Sequence, residues 1–170
     1  PEDLSEARRV RPGWDPWGLT ADQGARALVA LSLPSSDATL WLETLDKTFS
    51  SADVGEAVAL YRCLPLLPHP ERLILRCAEG VRTNIQAIFE AVAHRNPFPA
   101  ERLEEAPWNQ MVLKALFVGS ELRHIQGLDD RANAPLGRML LDYAHERWAA
   151  HRSVPLELWR CVGPFADDAA

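Results

Sequence analysis

Apolar positions recur at helical spacing along most of the chain, and the runs are separated by proline, glycine or a polar capping residue. Thr20 and Gln23 have the spacing of a capping box and open a run through Ala27, Leu28 and Leu31 that Pro34 stops. Ser35, Ser36 or Asp37 caps the next run, in which Leu40, Trp41, Leu45 and Phe49 fall near helical spacing. Asp53 with Glu56 repeats the cap pattern ahead of Ala57, Val58, Leu60, Tyr61 and Leu64, and Pro65, Pro68 and Pro70 end that helix. Pro70 suits the first turn of its successor. Residues 71–93 are helical in composition but contain Gly80, which predicts two helices or one broken helix, with Thr83 as cap of the second part.

The stretch Asn96-Pro97-Phe98-Pro99 is a breaker, and a short acidic helix is expected over 100–105. A strong helix is predicted over 108–119. The loop Gly127-Leu128-Asp129-Asp130 then leads to Asn133, which caps a long helix reaching about 151, with Pro135 tolerated in its first turn. Ser153-Val154-Pro155 begins a last short helix carrying Leu156, Leu158 and Trp159. No segment sustains period-two alternation, so no strand is predicted. The fold class is all-α, as stacked helical hairpins in an α-solenoid of HEAT or armadillo type, or as a helical bundle. No clean sequence repeat supports the solenoid, which is inferred from helix lengths and proline turns alone. Residues 1–19, interrupted by Pro12, Gly13, Pro16 and Gly18, are expected to form an N-terminal arm on a single helical domain over 20–170. Trp14 and Trp17 either pin that arm across the body or act as a partner-binding hook.

Charge narrows the partners. A formal net charge of -6 argues against non-specific nucleic-acid binding, which needs cations to neutralise phosphates. No apolar run approaches the length of a membrane span, and the charged first eleven residues do not read as a secretory signal. Cys63, Cys77 and Cys161 lack CxxC spacing and sit in apolar helical patterns, which predicts free thiols in a reducing, cytoplasmic setting.

The unusual chemistry lies in the C-terminal half. The helix from Trp108 is apolar nearly all round, as a buried helix is, except at Asn109, Gln110 and Lys114. Gln110 and Lys114 are four apart and share a face. Lys114 must reach solvent, pair with a carboxylate or line a cavity, because an unpaired buried charge is costly. On the long helix, Arg138, Asp142 and Glu146 share an i,i+4 track, and Asp142 is three positions from His145. That is either a solvated ladder of charges or an imidazole oriented for acid–base or ligand-binding work. Asn109, Gln110, Lys114, Asp142 and His145 are therefore the candidate ligand-binding set, drawn from two helices. His145-Glu146 is followed by a histidine only at position 151, six residues on, which is the wrong spacing for a zinc-binding helix. The chain has no P-loop, GxGxxG or GxSxG, so no metal, cofactor or catalytic residue is assigned and the pattern names no reaction.

The strings Asn96-Pro97-Phe98-Pro99, Trp108-Asn109-Gln110-Met111-Val112-Leu113-Lys114-Ala115-Leu116-Phe117 and Gly127-Leu128-Asp129-Asp130-Arg131-Ala132-Asn133 precede Asp142-Tyr143-Ala144-His145-Glu146-Arg147-Trp148-Ala149-Ala150. Together with Glu157-Leu158-Trp159-Arg160, they resemble the EboA family, most closely over residues 80–165. The resemblance implies a place in the ebo gene cluster, whose other products look like a membrane-bound prenyltransferase, a hydrolase, a sugar-cyclase-like enzyme and isomerase-like proteins. It implies an accessory role in making, handling or exporting a specialised metabolite, with those proteins as partners, and it supplies no reaction. Two functions follow as expectations. One is a helical scaffold or adaptor for the cluster's enzymes. The other is a small-molecule-binding protein or enzyme acting on a prenylated or sugar-derived metabolite, through a polar cleft between helices 108–119 and 133–151.

Overall fold

In the computed structural model, which describes residues 2–168 and the side chains from Ser5 to Phe165 except Arg8, the expected caps are in place. Thr20 Oγ1 accepts the Gln23 N–H at 3.2 Å, and Gln23 Oε1 accepts the Thr20 N–H at 3.4 Å, which starts α2 (Ala21–Leu31). Asp37 Oδ1 accepts from the Thr39 and Leu40 amides to start α3 (Ala38–Ser51). Asp53 and Glu56 form the reciprocal box of α4 (Val54–Arg62). Asn133 caps α9 (Ala134–Ala149) through the Leu136 amide at 2.8 Å. The remaining helices are α1 (Glu2–Val10), α5 (Ile74–Arg82), α6 (Gln86–Ala93), α7 (Phe98–Arg102), α8 (Glu105–Val118) and α10 (Trp159–Val162). Among the described residues there is no β-strand, and the chain is all-α.

Four local outcomes differ from expectation, each for a physical reason. The arm contains α1, which ends at Val10 just before Pro12 and Gly13. The break after α5 falls at residues 83–85, where Thr83 Oγ1 accepts the Ile85 N–H at 3.2 Å, and Gly80 stays inside the helix. The Asn96-Pro97-Phe98-Pro99 segment starts α7 as well as breaking the chain. Proline fits the first helical turn because the missing N–H has no helical partner there, and Asn96 Oδ1 accepts the Phe98 N–H at 3.0 Å. Pro107 is accommodated in the same way, so α8 begins at Glu105 and not at Trp108.

By its contacts the chain groups into two compact units, residues 1–103 and 104–170. In the first, α4 packs against α2 and α6, and α5 against α6. Trp41, Leu45, Leu60, Leu64, Leu73 and Phe89 are buried at its core. In the second, α9 packs against α8 and α10, and Leu136, Leu140 and Ala144 give α9 its buried stripe.

Candidate functional site

The polar groups on α8 and α9 separate by burial. Asn109 is 3% exposed, and its amide forms a reciprocal pair with Asn133: Asn109 Nδ2 donates to Asn133 Oδ1 at 3.0 Å, and Asn133 Nδ2 donates to Asn109 Oδ1 at 2.9 Å. The cap of α9 thereby also satisfies the buried Asn109 amide of α8. Gln110, Asp142 and His145 are exposed. Lys114 is half-buried, and burial pulls its ammonium pKa below the ordinary value. Among the described residues no hydrogen bond or ion pair joins Asp142 to His145. The imidazole instead lies 5.7 Å from the ring of Trp148, three positions along the same helix.

That tryptophan leads to a feature the spacing did not single out. Trp148 at the end of α9 stacks on Trp159 of α10, with centroids 6.0 Å apart and planes 26° from parallel. Both rings are open to solvent, at 49% and 36% exposure, and Leu156, three residues before Trp159, is 83% exposed. The chain between is held in shape by polar contacts. Arg147 Nε and Nη2 donate to the Ser153 carbonyl at 3.0 and 2.9 Å, and Glu157 accepts from the Leu122 and Arg123 amides at 2.9 and 3.2 Å. Arg160 adds a bidentate pair with Asp129 at 3.1 and 2.6 Å. The aromatic patch therefore stands on a fixed turn. In the sequence, Trp148 and Trp159 look like ordinary apolar positions; only the fold shows that both reach solvent and stack.

A shallow groove of about 250 Å³ lies where α8 and α9 end, lined by Phe117, Tyr143, Glu146, Arg147, Ala150 and Arg152. Phe117 meets Tyr143 edge-on at 5.0 Å, and the Tyr143 hydroxyl donates to the Leu116 carbonyl at 3.2 Å. None of the five candidate ligand-binding residues lines it.

The arm tryptophans have different roles. Trp14 is half-buried and its Nε1–H donates to the Arg62 carbonyl at 2.9 Å. Arg62 returns two bonds, to the carbonyls of Trp17 at 3.1 Å and Gly18 at 3.0 Å. Arg11 completes the fastening with the Pro65 carbonyl at 2.9 Å and a bidentate pair with Glu101 at 2.8 and 2.6 Å. Trp17 itself is 60% exposed.

The thiols are poorly suited to nucleophilic work. Burial pushes Cys63 and Cys77 up to about 12 and Cys161 to about 11, so the reactive thiolate is scarce near neutral pH. Among the described residues no three histidine, cysteine or acidic groups come together as a metal site, and no helix is long and apolar enough to cross a membrane.

The family model described as metabolite traffic protein EboA matches residues 1–163, which takes in the N-terminal unit as well as the motifs of the C-terminal half. No curated protein and no solved structure matches the chain.

Proposed function

We propose, from the premise that this chain belongs to the EboA family of metabolite traffic proteins, that it serves such traffic as a non-catalytic helical adaptor. In this reading the helices, stacked as hairpins, form a cytoplasmic rack that holds enzymes of the same gene cluster, a membrane-bound prenyltransferase among them. The observation that carries the reading is the solvent-open Trp148–Trp159 stack. Large aromatic rings dominate protein interfaces because they bury much area for little conformational entropy. A pre-stacked pair on a fixed turn has little further ordering to do on binding. The exposed Trp17 is a second anchor on the N-terminal unit.

The alternative, a small-molecule site or enzyme between helices 108–119 and 133–151, draws on the half-buried Lys114. It is the weaker reading, because Asn109 is engaged by Asn133 while Asp142 and His145 are solvated.

Affinity capture with the immobilised chain, offered the purified cluster enzymes one at a time, tests the adaptor. Micromolar or tighter retention of at least one enzyme is expected. Trp148→Ala together with Trp159→Ala is expected to weaken it at least tenfold, in line with hot-spot losses of about 2 kcal/mol or more. Half or more of each side chain is covered, so the variant is expected to melt at a lower temperature while staying folded under the capture conditions, which a thermal melt checks. Retention unchanged in that variant, or no retention of any enzyme, contradicts the reading.

A further inference from the structure

Outside the aromatic patch, an apolar concavity of the first unit lies among α2, α3 and α4. It measures about 350 Å³, within the usual range of small-molecule sites, and its walls include Val29, Ala30, Leu33, Ala52 and Leu60. Small residues on facing helices, Ala25 and Ala30 on α2 and Ala52 just after α3, leave the space open.

The polar rim has a definite hydrogen-bonding character. Thr48 Oγ1 donates its proton to the Thr44 carbonyl at 2.9 Å, and Ser51 Oγ donates to the Lys47 carbonyl at 3.1 Å. Each hydroxyl thus has only lone pairs left to offer. Glu56 adds carboxylate oxygens, while Arg26 is drawn to acids on two sides: its Nε donates to Asp22 at 3.0 Å and its Nη1 donates to Glu56. Those two bonds, Asp22 first, hold the guanidinium pKa above its ordinary value, so the cation is fixed rather than available. Arg26 and Glu56, the two ionised groups among the lining residues, pair with each other and cancel in charge. A rim of acceptors whose cation is already committed offers little to an anion and matches a donor.

We infer that the α2–α3–α4 groove binds a small, uncharged, largely apolar metabolite whose polar end is an N–H or O–H donor, seated against Thr48, Ser51 and Glu56. This goes beyond the adaptor reading and stands apart from it, since the groove belongs to the other unit. The chain is then a carrier of its cargo as well as a holder of partners. A partner helix is a poorer occupant, because laying an amphipathic helix takes a long trough with anchors at i, i+3, i+4 and i+7. The apolar walls here converge on a single small cavity.

Two fluorescent probes that share a skeleton make the test. N-phenyl-1-naphthylamine is neutral, apolar and carries one N–H; 1-anilinonaphthalene-8-sulfonate adds an anionic group. The neutral probe is expected to bind saturably at one site, at least tenfold more tightly than the sulfonate. Ala25→Trp, at an exposed position that lines the groove, should weaken the neutral probe at least tenfold by filling the cavity. Thr48→Val keeps the shape but removes an acceptor, and a loss of about threefold to tenfold is expected for one hydrogen bond. The Trp148→Ala, Trp159→Ala variant should bind the neutral probe like wild type, which separates this site from the aromatic patch. Equal binding of the two probes, no effect of Ala25→Trp, or loss of binding in the tryptophan variant would each overturn the assignment. Failure of enzyme capture with probe binding intact would fall on the adaptor reading alone.

Discussion

Gly80→Ala is expected to destabilise the protein by about 2 kcal/mol, although alanine is the better helix former. A Cβ built on Gly80 lies 2.6 Å from Tyr61 Cε1, 2.6 Å from Val92 Cγ2 and 2.9 Å from Tyr61 Cζ. Real Cβ atoms do not approach that closely, so α4 or α6 must move away from α5. Neither has slack: the Tyr61 ring is 6% exposed and packed edge-on against Phe49 at 5.0 Å, and Val92 is fully buried. Overpacking of this kind costs about 1–3 kcal/mol, and two clashes place it at the upper end. The gain in helix propensity returns about 1 kcal/mol. Gly24 on α2 is the control, because a Cβ there meets nothing within 4 Å. Gly24→Ala should therefore stabilise by about 1 kcal/mol. At about 2–4 °C per kcal/mol for a chain of this size, thermal melts should move in opposite directions, down about 4–8 °C for Gly80→Ala and up about 2–4 °C for Gly24→Ala. An unshifted melt for Gly80→Ala would mean that the Tyr61 ring yields freely.

Asn133→Ala should cost still more, about 2–4 kcal/mol, because one side chain performs two tasks. Its Oδ1 caps α9 through the Leu136 amide, and its amide group pairs with the buried Asn109 while donating to the Arg131 carbonyl at 3.1 Å. Losing the cap costs about 0.5–2 kcal/mol. Stranding the Asn109 amide, which is 3% exposed, costs about 1–3 kcal/mol more. Asn133→Ser separates the two contributions, since serine caps a helix well but is too short to pair with Asn109. Chemical denaturation should place Asn133→Ser between wild type and Asn133→Ala. If Asn133→Ser is as stable as wild type, the buried amide pair contributes nothing and only the cap matters.

These two positions also show how much of the structure can be read from the sequence. Capping is local chemistry, so Thr20, Asp37, Asp53 and Asn133 announce their helices within three or four residues. Gly80 reads as a helix breaker because the reason for it is not local: two side chains from α4 and α6 occupy the space where a Cβ would sit. The prolines at 97 and 99 are ambiguous for a related reason. They stop one helix and, with Asn96 holding the Phe98 amide, start another. Asn109 stands out as a polar residue on an apolar helix, but nothing in the spacing says that a capping asparagine 24 positions away will satisfy it. His145 and Asp142 are three apart on α9, yet spacing does not tell which side of the helix faces water; both are exposed. The same rotation of α9 brings Trp148 to the surface beside Trp159. The cavity among α2, α3 and α4 is likewise a product of packing, visible in the sequence only as alanines at positions 25, 30 and 52.

Site-specific photo-crosslinking tests the proposed adaptor role most directly. A benzophenone amino acid replaces Leu156, 83% exposed and three residues before Trp159, or Leu75, 77% exposed on the N-terminal unit, and each chain is irradiated with the cluster enzymes. A covalent adduct with a cluster enzyme from position 156, and none from position 75, is the expected result. Adducts from position 75 alone, or from neither position, would contradict an adaptor that works through Trp148 and Trp159.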